Sequence, residues 1–275
     1  MFVCLCTRAV YIDIVSDLST AAFLSSLDRF ISRRGVPATM YSDLGTNFVG
    51  AARELKELRD VLLQGNDQIK SYCEERHINW QFNPPSAPNF GGSWEAAVKS
   101  MKHHLKRVIK DRPLTFEEYS TLLAKIEAIM NSRPLCPVSS SPSDGFDYLT
   151  PGHFLVGAPL LLSRPEEDLS IQPINFRSRW QLISRSVQDF WQRWSREYIH
   201  TLMHRPKWDT TIPNLTPGKM ILLPAKNLPP TSWSIGRVLE VYPGIDGTVR
   251  VAQIKTASGT FTRPVNKLCL LPFQD

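Results

Sequence analysis

Two acidic residues sit where the chain could do chemistry. Asp43 lies in the run Tyr41-Ser42-Asp43-Leu44-Gly45-Thr46-Asn47-Phe48, at the end of a short apolar segment and just before a glycine turn. A carboxylate at the end of a strand faces the crevice where α/β sheets hold ligands and metal ions. Asp ahead of Gly is also ordinary turn chemistry, and taken alone that reading is the stronger. Glu95 comes after the Pro/Gly-rich run Pro84-Pro85-Ser86-Ala87-Pro88-Asn89-Phe90-Gly91-Gly92-Ser93-Trp94 and is expected in the first turn of a helix. There the helix dipole alone would favour an acid.

The residues beyond Glu95 strengthen the chemical reading. Lys99, Lys102 and Lys106 recur at helical spacing on the same face, and residues 95–112 hold six Lys/Arg against two acids, with His103 and His104 besides. A carboxylate heading a basic stripe suits a site that holds a metal ion and then tracks a phosphate backbone. A solvated helix face is Lys-rich too, and the stripe by itself leaves both readings open.

The elements that must position these residues are set by periodicity. Residues 2–6 and 10–15 read as strands joined at Thr7-Arg8. A helix starts at Ser19-Thr20, carries Ala22, Phe23, Leu27, Phe30 and Ile31 on one face, and stops at Gly35-Val36-Pro37. Residues 38–42 form a strand, 50–63 and 67–76 helices, and 78–82 another strand, with a loop over 83–92. Helices are expected from Trp94 to Ile109 and over 116–131, and then a Pro/Ser/Gly-rich, partly ordered connection over 134–175. A helix over 177–203 carries Trp180, Trp191 and Trp194 with Arg177, Arg179, Arg185, Arg193 and Arg196. These could stack on bases, but amphipathic packing with the arginines outside is the favoured account. His200 and His204 are spaced i, i+4, and a solvated pair is favoured over a metal pair because no Cys or acid joins them. Short strands at 219–223, 235–242, 248–255 and 260–263 then indicate a small all-β unit.

Composition bounds the function classes. The chain has 275 residues, 42% apolar and 21% charged, which excludes wholesale disorder. Its net charge of +6 suits an anionic partner without demanding one. The segment after residue 205 has eight Lys/Arg against four acids. Five cysteines with no Cys-x-x-Cys pair give neither a disulfide framework nor a zinc set and point to a reducing, intracellular compartment. No apolar run approaches the length of a membrane helix, and the apolar start is interrupted by Arg8, so a soluble protein with no membrane partner is expected. Opening directly in a strand, the chain reads as missing a first element.

Two long motifs in order carry a resemblance: TRAVYIDIVSDLSTAAFLSSLDRFISRRGVPATMYSDLGTNFVGA and FNPPSAPNFGGSWEAAVKSMK. They resemble the integrase core of Pao/BEL-type LTR retrotransposons, which is similar to retroviral integrases and belongs to the ribonuclease H-like polynucleotidyl transferases. The segment GKMILLPAKNLPPTSWSIGRVLEVYPGIDGTVRVAQIKTASGTFTRPVNKLCLLP looks like the small β domain that comes after that core.

The resemblance implies an α/β fold: a ribonuclease H-like mixed sheet with flanking helices, lacking its first strand, over 1–135. A linker with a Trp/Arg-rich helix would span 136–214, and a small all-β SH3-like barrel 215–275. It implies DNA integration by strand transfer, two Mg²⁺ (or Mn²⁺) ions, DNA and a second copy of the chain as partners, and a place in the nucleus or in a cytoplasmic particle. Hard cations take carboxylate oxygens, and a pair of ions can serve the attacking and leaving oxygens of a phosphodiester.

Within the implied Asp, Asp, Glu trio, Asp43 matches the second Asp and Glu95 the Glu, as catalytic and metal-ligating residues, with Lys99, Lys102 and Lys106 on DNA. The first Asp has no match. Asp13, on the following strand, is not the catalytic position. Leu44 stands where the motif usually has Asn, and no zinc-binding N-terminal domain is present. The expectation is a chain with an incomplete active site, or a catalytically dead nucleic-acid-binding or assembly module.

Overall fold

The computed structural model describes residues 1–42, 69, 75–82, 88–110, 112–139, 145–160, 179–203, 214–224 and 228–272. The helices expected over 50–63 and most of 67–76 lie outside these residues. Strands and helices make up a mixed α/β chain, which divides into two compact units: residues 1–5 with 11–102, and residues 6–10 with 103–275.

The first unit is built around α1 (Thr20–Arg34) and the strands β3 (Thr39–Ser42) and β4 (Asn79–Phe82). Ser19 caps α1, its hydroxyl accepting from the Ala22 amide at 3.1 Å. Gly35 ends the helix at φ 88°, a conformation open to glycine, and its N–H reaches the Ile31 carbonyl at 2.8 Å. β3 and β4 run parallel in the register Thr39 to Asn79 through Ser42 to Phe82. Ile69 and Ile78 are buried beneath them with Phe23, Leu24, Ile31, Met40 and Trp80.

The first two strands are shorter than their apolar residues suggest: β1 is Phe2–Val3 and β2 is Val10–Tyr11. Arg29 of α1 accounts for the early end of β2. Its guanidinium takes the Asp13 carboxylate at 2.9 Å and the Ile14 carbonyl at 3.3 Å, so polar groups that would continue a ladder turn to the helix instead.

The second unit contains α3 (Phe116–Asn131), α5 (Arg179–Leu202) and one antiparallel sheet. Helix α3 begins where Thr115 and Glu118 form a capping box. Its last residue, Asn131, is fully buried; its side-chain amide donates to the Val10 carbonyl and accepts from the Val10 amide, both at 2.8 Å. The side chain thus imitates a neighbouring strand. The connection expected to be partly ordered contains the strand pair β5 (Cys136–Pro137) and β6 (Tyr148–Leu149) and the one-turn helix α4 (His153–Val156).

The sheet consists of β7 (Met220–Leu222), β8 (Ile235–Pro243), β9 (Val249–Thr256), β10 (Gly259–Pro264) and β11 (Cys269–Leu270), in the order β10-β9-β8-β7-β11. Alternation along β7 sends Met220 and Leu222 to one core with Ile199, Tyr198 and Trp233, and Ile221 to another with Val238, Ala252 and Ile254. Helix α5 covers the first of these faces. Trp191 and Trp194 are 4% and 5% exposed, and Trp233 meets both, with ring centroids 4.8 and 6.2 Å away. Two of these indoles find acceptors: Trp191 donates to the Leu228 carbonyl and Trp233 to the Ser132 hydroxyl.

Asn131→Ala leaves a buried amide and a buried carbonyl of Val10 unpaired, and should cost about 3 kcal/mol in denaturant unfolding. A loss below about 1 kcal/mol would show that water replaces the amide. Glu118, bonded by the Arg179 guanidinium and by the Thr115 amide, titrates at about 2 instead of 4.5. Its folded-state value is depressed, so its contribution is present above the ordinary value and is lost as pH falls toward the folded one. The advantage of the parent over Glu118→Gln in thermal melts should therefore be largest above about pH 5 and vanish near the folded value.

Candidate metal and nucleic-acid site

Parallel pairing sends β3 and β4 out on the same side of the sheet. The described chain of β3 stops at Ser42, which is opposite Phe82 and accepts a hydrogen bond from the Trp80 indole at 3.1 Å. The next residue, Asp43, lies outside the described residues. Past the end of β4, after residues 83–87, helix α2 (Pro88–Ile109) begins. In sequence, Asp43 comes next after β3 and the helix bearing Glu95 comes after β4; α/β sheets put their ligands beyond the carboxyl ends of such strands.

Helix α2 begins earlier than expected. Residues 88–92, expected as loop, form its first turns, and Pro88 occupies the opening position, where no amide donor is required. An added Cβ at Gly92 would meet nothing within 4 Å, so no close approach demands that glycine. Glu95 is therefore two turns inside the helix, whose first turn has no acid. The dipole explanation for Glu95 fails. Its side chain is exposed and bonds to no described residue. Lys99, Lys102 and Lys106 are exposed at the same helical spacing, while Met101, Val108 and Ile109 are buried on the other face.

Asp13 is not available in the same way. Its carboxylate is 12% exposed and paired with Arg29 at 2.8 Å. The Trp/Arg helix resolves into separate roles. Trp191 and Trp194 are core residues and cannot stack on bases. Trp180 is 57% exposed, but the Lys125 ammonium covers its ring at 4.3 Å. Arg179 holds Glu118 and Arg185 holds Asp189. Arg193, Arg196 and His200 reach solvent; Arg177 and His204 lie outside the described residues. In the tail, Arg237 is 2% exposed and donates to the carbonyls of Gly218, Ser139 and Gly145, and Arg250 pairs with Asp246. Lys255, Arg263 and Lys267 remain exposed.

His104 belongs to a different face from the one its basic neighbours suggest. It is 6% exposed, packs edge-on against Phe190, and shares a hydrogen bond of 2.7 Å between Nε2 and Glu197 Oε2 of α5. Burial lowers its proton affinity below that of an ordinary histidine. The Glu197 hydrogen bond opposes that shift, and the charges of His103 and Arg107 add to it. The signal was present in the spacing: 101, 104 and 108 track the buried stripe.

Residues 178–271 match DUF5641, a family of unknown function, a span that takes in α5 and the five-stranded sheet. No curated protein matches the chain. Among solved structures, the cryo-EM structure of the simian T-cell lymphotropic virus intasome in complex with the PP2A regulatory subunit B56 gamma aligns over 99% of this chain and 74% of its own, with 14% identity and a TM-score of 0.34. Among the described residues, no helix is long and apolar enough to cross a membrane.

The adjacent exits of β3 and β4 set a distance. In a crystal grown with magnesium, the carboxyl carbons of Asp43 and Glu95 should lie within about 8 Å of each other, since paired ions sit roughly 3.5–4 Å apart. A separation above about 15 Å would remove the site.

Proposed function

We propose that this chain binds DNA as the core and tail of an integrase-type polynucleotidyl transferase, of the kind encoded by Pao/BEL-type LTR retrotransposons, with an active site incomplete for strand transfer. On this reading the first unit is a ribonuclease H-like core, the C-terminal sheet is SH3-like, and the protein works in the nucleus as a multimer on DNA ends. The observation that carries it is the parallel pairing of β3 with β4, whose ends lead to Asp43 and to the helix bearing Glu95.

The residue types fit a hard divalent ion. Glu95 is exposed, and no described cation competes for its oxygens; Asp43 would supply the opposing carboxylate. Magnesium bound there would neutralise charge developing on a phosphodiester. The chain's own contribution is placement: α2 presents Lys99, Lys102 and Lys106 along one side, each able to meet a backbone phosphate and fix the register of a duplex. Two carboxylates fit a single ion better than two, and the Asp13 carboxylate is closed by Arg29. That ion pair favours a second reading, a DNA-binding module without catalysis.

Fluorescence anisotropy on duplex DNA tests the binding. Affinity should fall steeply with salt, and each lysine removed from Lys99, Lys102 and Lys106 should reduce the log–log slope by about 0.9. Salt-insensitive binding, or a triple Lys→Ala variant that binds like the parent, would make the stripe a solvated face. Strand-transfer and end-processing assays with magnesium or manganese should show no turnover by the 275-residue chain. Robust turnover would place the third ligand within the chain and return Asp13 to the site.

A further inference from the structure

Helices α2 and α5 bring together three candidate metal ligands other than Asp43 and Glu95. One ligand atom each from His103, His104 and Glu197 lie within 4.8 Å of one another, all in the second unit. We propose that His103, His104 and Glu197 form a binding site for one borderline divalent cation, zinc foremost, that ties α2 to α5. The inference is independent of the DNA reading.

The donor set decides the class of ion. Two imidazole nitrogens and one carboxylate oxygen suit zinc and its neighbours, whereas magnesium prefers oxygen alone. Three protein ligands leave the fourth tetrahedral position to water. In His104, Nε2 meets Glu197 at 2.7 Å, and Nδ1, buried with no hydrogen-bond partner, can take up the ring proton without breaking a bond. Ion binding would replace the Nε2–H···O contact, with the single ring proton moving to Nδ1 and no net proton released from the neutral ring and the ionised Glu197. His103 is exposed and gives the ion a way in. Arg107, whose charge disfavours a positive His104, also repels a cation and weakens the expected affinity.

Cobalt(II) titration of the full-length chain carrying Asp43→Asn and Glu95→Gln separates this site from the carboxylate site. A saturable visible absorption of tetrahedral type, one ion per chain and displaced by zinc, is expected. His103→Ala and Glu197→Gln should each weaken binding by at least about tenfold and should remove the zinc-dependent rise in melting temperature that binding to the folded state produces. His103 is exposed, so its variant tests the ligand without opening the core. Absence of saturable uptake by the Asp43→Asn/Glu95→Gln chain would overturn the proposal. So would uptake unchanged by His103→Ala and Glu197→Gln.

Discussion

The proposed chemistry depends on one backbone arrangement, the parallel pairing of four residues of β3 with four of β4. Antiparallel strands would send the segments after Ser42 and Phe82 to opposite ends of the sheet, and Asp43 could not share an ion with Glu95. Parallel strands need a long crossover, and the segment between Ser42 and Asn79 provides it. A two-stranded pair is marginal alone in water. Burial of Ile69 and Ile78 against α1 and the Trp80–Ser42 hydrogen bond hold it in register.

The second unit rests on a different force. Helix α5 contributes Phe190, Trp191 and Trp194 to a closed aromatic cluster with Tyr198 and Trp233. Truncating a buried aromatic of this kind costs about 3–5 kcal/mol, more than any surface ion pair on the same helix contributes. The tryptophans therefore belong to packing, and basic residues that reach solvent, such as Arg193 and Arg196, are the ones free to meet phosphate. The cluster also explains why α5 and the sheet form part of one compact unit.

Much of this order was legible in the residues. Thr115 and Glu118 mark the start of α3 as a capping box, and Ser19 and Gly35 bracket α1, because caps answer local hydrogen-bond demands that sequence states directly. The strands expected at 219–223, 235–242, 248–255 and 260–263 correspond to β7 to β10, because turn residues such as Asp246-Gly247 and Ser258-Gly259 punctuate them locally. The start of α2 was not legible: Gly91-Gly92 signals a loop locally, but the strong helix formers after it extend the helix back to Pro88. Two-residue strands such as β5, β6 and β11 carry too little periodicity to see. His104 was hidden by its charged neighbours although its spacing was that of the core, and its partner Glu197 is 93 residues away, a pairing that local pattern cannot supply. Asp43 and Glu95 were visible as motifs, whereas the parallel pairing of β3 with β4, the strands that precede them, is long-range and lies beyond local pattern.

Manganese binding followed by electron paramagnetic resonance, on the parent chain, Asp43→Asn, Glu95→Gln and the double variant, tests that account most directly. If the two carboxylates share an ion, either single change removes nearly all of the binding and the second adds little, so the double-mutant cycle shows a large coupling. If the two changes weaken binding independently and additively, the carboxylates do not meet, and the parallel exits of β3 and β4 do not build a metal site.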